Sequence, residues 1–322
     1  MTVIESVGTY VPYYRIQRSE IAAQYGESDD DGETAVPNHD EDVVTMARAA
    51  GADALAGADV DASALDAVFA ASVSDPFAER GIAGEVAHAL GTESDVRLAD
   101  YRGAPRATAD AVSAARDALL AGTAERVVVV ASDVLPARQG TDAERTAGAG
   151  AGAILLAGEG TGVDLLTIDS ETTGFLDPVR HAGDAPQSGH ARFNRSMYVD
   201  TVGELLDRID GPVDRLAAPP PIRGWSERAL RGADRSVPLD STFDSVGDAG
   251  AASVVLDTAL ALENAAVGDR TALIAYGGGG ATSMVLETAD GTPAHSTSLE
   301  THLESKEYVS YAQHHAYRRG EP

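Results

Sequence analysis

Two stretches of this chain have the length of helices and almost no large side chains. They are residues 106–121 (RATADAVSAARDALLA) and residues 250–264 (GAASVVLDTALALEN). Each follows a glycine-bearing turn, and each is small and apolar on most of its faces. A helix without a polar face has to be buried all round. Two of them in one chain call for sheets on either side, and so for a layered α/β fold with the pair at its centre.

The surrounding pattern occurs twice. Each copy has strands, then a buried helix after a Gly-rich turn, then a buried strand, then a hairpin. In the first copy the strands read at 2–11, 66–74 (DAVFAASVS) and 125–133 (ERVVVVASD), with a hairpin of 151–157 against 163–167. The second copy places strands at 213–217, 271–276 and 283–288, with a four-glycine turn at 277–280 between the last two. This is duplication of one α/β unit. The division falls into residues 1–165 and 166–322, the second half ending in a polar tail. The expected class is α/β: two βαβαβαββ-type halves that stack as five layers, αβαβα.

The junction at 94–110 (SDVRLADYRGAPRATAD) concentrates chemistry-bearing residues. A short strand with Val96 and Leu98 runs into a turn at Gly103, and Pro105 suits the first turn of the helix that follows. Asp100, Tyr101 and Arg102 fall there, where the helix dipole favours an anion. Capping the buried helix is the plainer role for Asp100. Asp248 has the same reading before the second helix. Arg102 and Arg106 are expected to pair with Asp100 or Asp110.

Composition excludes several functions. The chain has 322 residues, 51 acidic against 24 basic, and a net charge of −27; its one lysine is Lys306. Nucleic-acid binding needs clustered Lys and Arg and is not expected. The acid excess suits a halophilic cytosol, where carboxylates hydrate the surface. With no cysteine at all, disulfides, thiolate metal sites and cysteine catalysis are ruled out. No run is long enough for a membrane span and no signal peptide opens the sequence, so a cytoplasmic protein is expected. The acidic stretch 27–42 reads as a solvated insertion. His39, His314 and His315 lack ligand spacing and read as exposed, and no metal site is expected.

Several segments, in order, resemble the thiolase superfamily, in the branch of archaeal hydroxymethylglutaryl-CoA synthases and type III ketoacyl synthases. VGTYVP (7–12) is similar to the first strand, SVSDPFA (72–78) to a SESHPYA segment, and LADYRGA (98–104) to a FACKAGT segment. ASDV (131–134) with TAGAGAGA (146–153) resembles the strand that closes the first half, and GHARF (189–193) an HGGRF loop. GDAGAAS (247–253) resembles GNTGAAS, AYGGGGATS (275–283) the glycine turn at the active site, and the tail 307–320 the C-terminal helix.

The resemblance implies an acyltransferase handling acyl-CoA, with CoA or acyl-CoA as ligand and no other cofactor. It also implies which positions carry the chemistry. The nucleophilic Cys falls at Asp100, the acid/base Glu at Val73, the His near Ala218 in APPPIRG, and the Asn at Asp248. All four differ from the family's residues, so the expectation is a non-catalytic homologue acting as a structural or regulatory subunit. Two alternatives stand beside it: an acyl-CoA acyltransferase or hydrolase with rebuilt chemistry on Asp100, Asp248 or Ser72, and a module that only binds acyl-CoA. Asp100, Tyr101, Arg192, Phe193, Arg223, Gly277, Gly278 and Gly279 are the pocket candidates. A homodimer, or a heterodimer with an active homologue, is expected through the doubly apolar strand 125–133. A zinc-ribbon/OB-fold partner is implied by the resemblance alone.

Overall fold

The computed structural model describes residues 2–27, 31–175, 191–288 and 293–319. The first half contains β1 (Val3–Tyr10), β2 (Tyr14–Gln17), α1 (Arg18–Gln24), β3 (Glu33–Val36), α2 (Val43–Gly57), β4 (Ala67–Ser72), α3 (Ala83–Leu90), β5 (Arg97–Arg102), α4 (Ala107–Leu120), β6 (Arg126–Val134), α5 (Asp142–Thr146) and β7 (Ala149–Ala157). There follow β8 (Val163–Thr172), α6 (Ala191–Arg208), β9 (Arg215–Ala217), α7 (Trp225–Gly232), β10 (Leu239–Asp240), α8 (Phe243–Val246), α9 (Ala251–Glu263), β11 (Arg270–Tyr276), β12 (Gly280–Glu287), α10 (Leu299–Glu304), β13 (Glu307–Tyr308) and α11 (Tyr311–Arg319).

Ten strands form one sheet in the order β10-β9-β11-β12-β8-β1-β7-β6-β4-β5. Read outward from the central pair β8 and β1, the two sides have the same order of first, fifth, fourth, second and third strand. Three apolar clusters give the layers. One holds α2 and α3 against the outer face of β4, β6 and β7. The central one joins α4 and α9 between the two sides of the sheet. The third holds α6 and α7 against β9, β11 and β12. The five-layered α/β expectation holds.

Small residues set the layer spacing. A side chain on Gly8 of β1 would meet the Ala50 carbonyl of α2 at 2.2 Å, and one on Gly152 of β7 would meet Val255 of α9 at 2.5 Å. The alternating glycines of β7 thus let α9 lie almost on the strand, with Val254, Val255 and Leu256 fully buried. At the start of α2, the Asp42 carboxylate accepts from Thr45 N–H while the Thr45 hydroxyl accepts from Asp42 N–H, a reciprocal capping box.

Several expectations are corrected. The 151–157 and 163–167 strands do not pair as a hairpin; β1 lies between them, pairing with β7 along most of its length and with β8 at Val3 and Ile4. Strand β6 is apolar on both faces because it is internal, between β4 and β7. It has no open edge, and the exposed edge of that side is β5. The acidic stretch 27–42 contains buried strand β3, which pairs with β2 in a small three-stranded sheet. His314 is buried and His315 half-buried on α11, whereas His39 is exposed as expected, its ring edge-on to Tyr317 at 4.7 Å. No helix among the described residues is long and apolar enough to cross a membrane.

Candidate active site

The two junctions that lead into the buried helices are built differently. Strand β5 continues through Tyr101 to Arg102, and α4 begins only at Ala107. Asp100 is therefore a strand residue and not the first residue of the helix. It lies opposite Ala70, whose side chain belongs to the outer cluster with α2 and α3. Its carboxylate reaches α3, where one oxygen accepts from Ile82 N–H (2.8 Å) and Ala83 N–H (2.9 Å). Asp100 caps the exposed-side helix α3 rather than α4. Gly81 leaves room for it, since a side chain there would lie 1.9 Å from the carboxyl carbon.

Tyr101, one residue on, faces the centre. It lies opposite Ala71, its ring is 5.9 Å from that of Phe69, and burial raises its pKa. Arg102 pairs with Asp75 at 3.0 Å, and Arg106 with Asp110 at 3.9 Å. The head of α4 meets the glycine turn from the other half. Gly277 and Gly278 have φ of +139° and +63°, and a side chain on either would press on Ala104 or Pro105. Backbone there can pass only as glycine.

At the head of α9 two carboxylates take consecutive amides. Asp248 accepts from Gly250 N–H at 2.9 Å, and Asp133, at the end of β6, accepts from Ala251 N–H at 2.7 Å. Asp133 is fully buried. Its other oxygen accepts from the Ser72 hydroxyl (2.7 Å), Val73 N–H (2.8 Å), Ser74 N–H (2.8 Å) and the Ser74 hydroxyl (2.6 Å). Desolvation pushes its pKa up to about 6 against those hydrogen bonds. Asp248 is half-buried and has fewer donors; desolvation, with the charge of Asp133 adding to it, pushes its pKa up to about 7. Its backbone is fixed too, with N–H donating to Thr146 O and its carbonyl accepting from Gly148 N–H, both at 2.7 Å. A third acid, Asp257, lies within α9. It is buried, accepts from the N–H and hydroxyl of Thr242, and is likewise raised to about 7 by desolvation.

Of the four positions singled out in the sequence, Val73 and Asp248 meet at the α9 head, where Val73 packs against Gly250. Asp100 lies across the sheet. Ala218 faces the outer layer of the second half, and its carbonyl accepts from the hydroxyls of Tyr198 (3.0 Å) and Ser226 (2.6 Å). Arg192 and Phe193 are exposed at the start of α6. Gly189 and His190, from the segment read as a substrate loop, lie outside the described residues. Arg223 is held by Asp244 at 2.9 Å in a surface ion pair. No sequence motif points to Asp133 or Asp257 as site residues. Their signal was present: an acid closing an apolar strand, and an acid inside a helix with no polar face.

The fold is thiolase-like. The chain superposes on PksG, an HMG-CoA synthase from Bacillus subtilis, with a TM-score of 0.85 at 20% identity, covering 99% of this chain and 88% of that one. It superposes on the 3-oxoacyl-(acyl carrier protein) synthase III of Pseudomonas aeruginosa with a TM-score of 0.78 at 22% identity, covering 91% and 99%. Related solved structures include an HMG-CoA synthase complexed with CoA and MvaS in complex with 3-hydroxy-3-methylglutaryl coenzyme A.

The sequence homologues of this chain are archaeal hydroxymethylglutaryl-CoA synthases. That of Methanopyrus kandleri is 27% identical over 97% of this chain and 95% of its own length. That of Caldivirga maquilingensis is 28% identical over 97% and 96%. That of Pyrococcus furiosus is 36% identical, over 48% of this chain and 45% of its own length. No family model matches. These findings overturn the expectation of a non-catalytic subunit. Relatives that align end to end carry the name of an enzyme, and nothing in the fold sets this chain apart as a structural part. That expectation rested on replaced residue types. Replacement at a position does not remove titrating groups from the neighbourhood, as Asp133 and Asp248 demonstrate.

Proposed function

We propose that this protein is an acyl-CoA enzyme of the hydroxymethylglutaryl-CoA synthase kind, working without a thiolate. The reading is carried by Asp248: a half-buried carboxyl with a pKa near neutrality at the N-terminal end of a buried helix. A group with that pKa can both take and return a proton at pH 7. The chain has no cysteine, so no acyl group is passed to a sulfur of the protein. The acyl chemistry runs directly on the bound thioester. Asp248 removes a proton from the carbon next to a thioester carbonyl, and the carbanion adds to the keto carbonyl of acetoacetyl-CoA, whose new alkoxide takes a proton. Water then cleaves one thioester, so that acetyl-CoA, acetoacetyl-CoA and water give hydroxymethylglutaryl-CoA and free CoA.

CoA or an acyl-CoA is the proposed ligand, as in the solved complexes of the fold. The glycine turn Gly277–Gly279, with Tyr101 and the exposed Arg192 and Phe193, is the proposed surface around it. The acid excess fits a working solvent of high salt. The test is an incubation with both thioesters in multimolar KCl, following free CoA with a thiol reagent and products by mass spectrometry. Release of CoA that disappears in Asp248→Asn supports the reading. No CoA release, or release untouched by that change, refutes it.

A further inference from the structure

We propose that Asp133 is the positioning residue of this site: its carboxylate bolts the end of β4 to the first turn of α9 and so fixes the Asp248 carboxyl. The inference rests on the reading of Asp248 given above.

Three observations carry it. First, Asp133 makes five hydrogen bonds, and they come from two different halves of the chain. Four reach residues 72–74 at the end of β4. The fifth reaches Ala251, the first residue of α9. Second, Gly250 is shaped around this carboxylate. Its φ is +59°, and a side chain there would lie 2.5 Å from the Asp133 oxygen that accepts from Ala251 and 2.7 Å from Val73. Third, Asp248 bonds the N–H of Gly250, next in line to the one that Asp133 holds. A shift of Asp133 therefore moves the amide on which Asp248 leans. The remaining ties of Asp248 are the backbone bonds to Thr146 and Gly148. They hold its main chain and leave the carboxyl orientation to the Gly250 amide.

The arrangement also couples the two acids. Burial is the main cause that raises the proton affinity of Asp248, and the charge of Asp133 on β6 adds to it; Asp257 on α9, raised mainly by its own burial, is raised further by the charge of Asp248. Like charges at adjacent amides of one helix end resist ionising together. Asp133 thus both places Asp248 and adds to the burial that raises its pKa.

The test is Asp133→Asn in the full chain. Asparagine keeps an oxygen for the Val73 and Ser74 amides but puts an NH2 where Ala251 needs an acceptor. Carboxyl NMR on aspartate-labelled protein follows the titration of Asp248 in both forms, and the pH profile of CoA release follows its use. The midpoint of Asp248 is expected to fall, and the acid limb of the profile to move to lower pH with it. The rate at saturation should fall about 10²-fold, with KM for the thioester changed less than about threefold. If Asp133→Asn does not fold, Ser72→Ala/Ser74→Ala removes two donors from Asp133, which then holds its proton to higher pH. A smaller fall in the Asp248 midpoint is expected there. An Asp248 midpoint that stays put in these variants, with unmoved amide shifts at Gly250 and Ala251, overturns the proposal. The NMR arm needs no turnover. If the wild-type protein releases no CoA while the midpoint still moves, it is the functional reading that has failed and not the coupling.

Discussion

The heads of α4 and α9 look alike in sequence and differ in what their acids do. Both helices are small-residue helices entered through glycine, and each has an aspartate a few residues upstream. At the α4 side, Asp100 turns outward and caps α3. At the α9 side, Asp248 stays at the helix it precedes, Asp133 joins it from the end of β6, and the two occupy the first amides. The difference comes from strand parity. Side chains alternate across a sheet, and β5 runs two residues past Asp100, which commits that residue to the outer face. Asp248 precedes its helix in a loop, where parity does not apply. An acid before a helix is thus a site only if the backbone delivers it to that helix.

The largest test of this contrast is catalytic. Asp248→Asn should lower CoA release by about 10²–10⁴-fold, whereas Asp100→Ala should change it by less than about threefold. Equal losses from the two would erase the distinction between the junctions.

Next in size is the response to pH. Asp133, Asp248 and Asp257 stand at about 6, 7 and 7, against about 3.9 for aspartate in an unfolded chain. Their folded pKa values are raised, so the folded state holds these protons when the unfolded state has lost them. The stability this contributes is complete below pH ~4 and is lost as pH rises through 7. At fixed salt the melting temperature should be higher at pH 5 than at pH 8. Asp257→Asn should flatten that slope and gain about 1–3 kcal/mol at pH 8, because one buried Asp257 oxygen has no hydrogen-bond partner. A slope unchanged by this substitution would show that Asp257 is not part of the cause.

A backbone test is comparable. Gly250→Ala forces a side chain at φ +59° into the Asp133 carboxylate and should cost about 1–3 kcal/mol. Denaturant unfolding curves measure it. Should the cost be near zero, the α9 head is looser than the paired acids require. The smallest effect belongs to the α3 cap. Asp100→Ala should cost about 1 kcal/mol, seen as a lower denaturant midpoint and faster amide exchange at Ile82 and Ala83. A cost shared with α4 amides instead would return Asp100 to the central helix.

Assembly sharpens the contrast further. The sheet edge open to a partner is β5, with Leu98 46% exposed, and not β6. A dimer through this edge is a proposal, which light scattering of Leu98→Lys against the wild type in high salt would test.

The sequence by itself determined the layers. The two helices without a polar face had to lie inside, and the structure buries Val254, Val255 and Leu256 in α9 as that demands. It also determined that this chain supplies no thiolate, because absence of a residue type needs no coordinates. Side-chain period and composition report burial, and burial is what layers are made of. Tertiary structure alone decided partners and directions. An apolar strand reads the same whether its neighbours are two strands or one strand and a second subunit, and so the sequence of β6 does not tell an internal strand from an edge. Strands next in sequence need not be next in space, and β1 separates β7 from β8. Asp133 and Asp248 lie 115 positions apart in the chain (248 − 133). Only the packing of α9 against the end of β4 makes them neighbours, and the burial that this packing brings is the main cause that raises their pKa values toward the range where a carboxyl can work as acid and base.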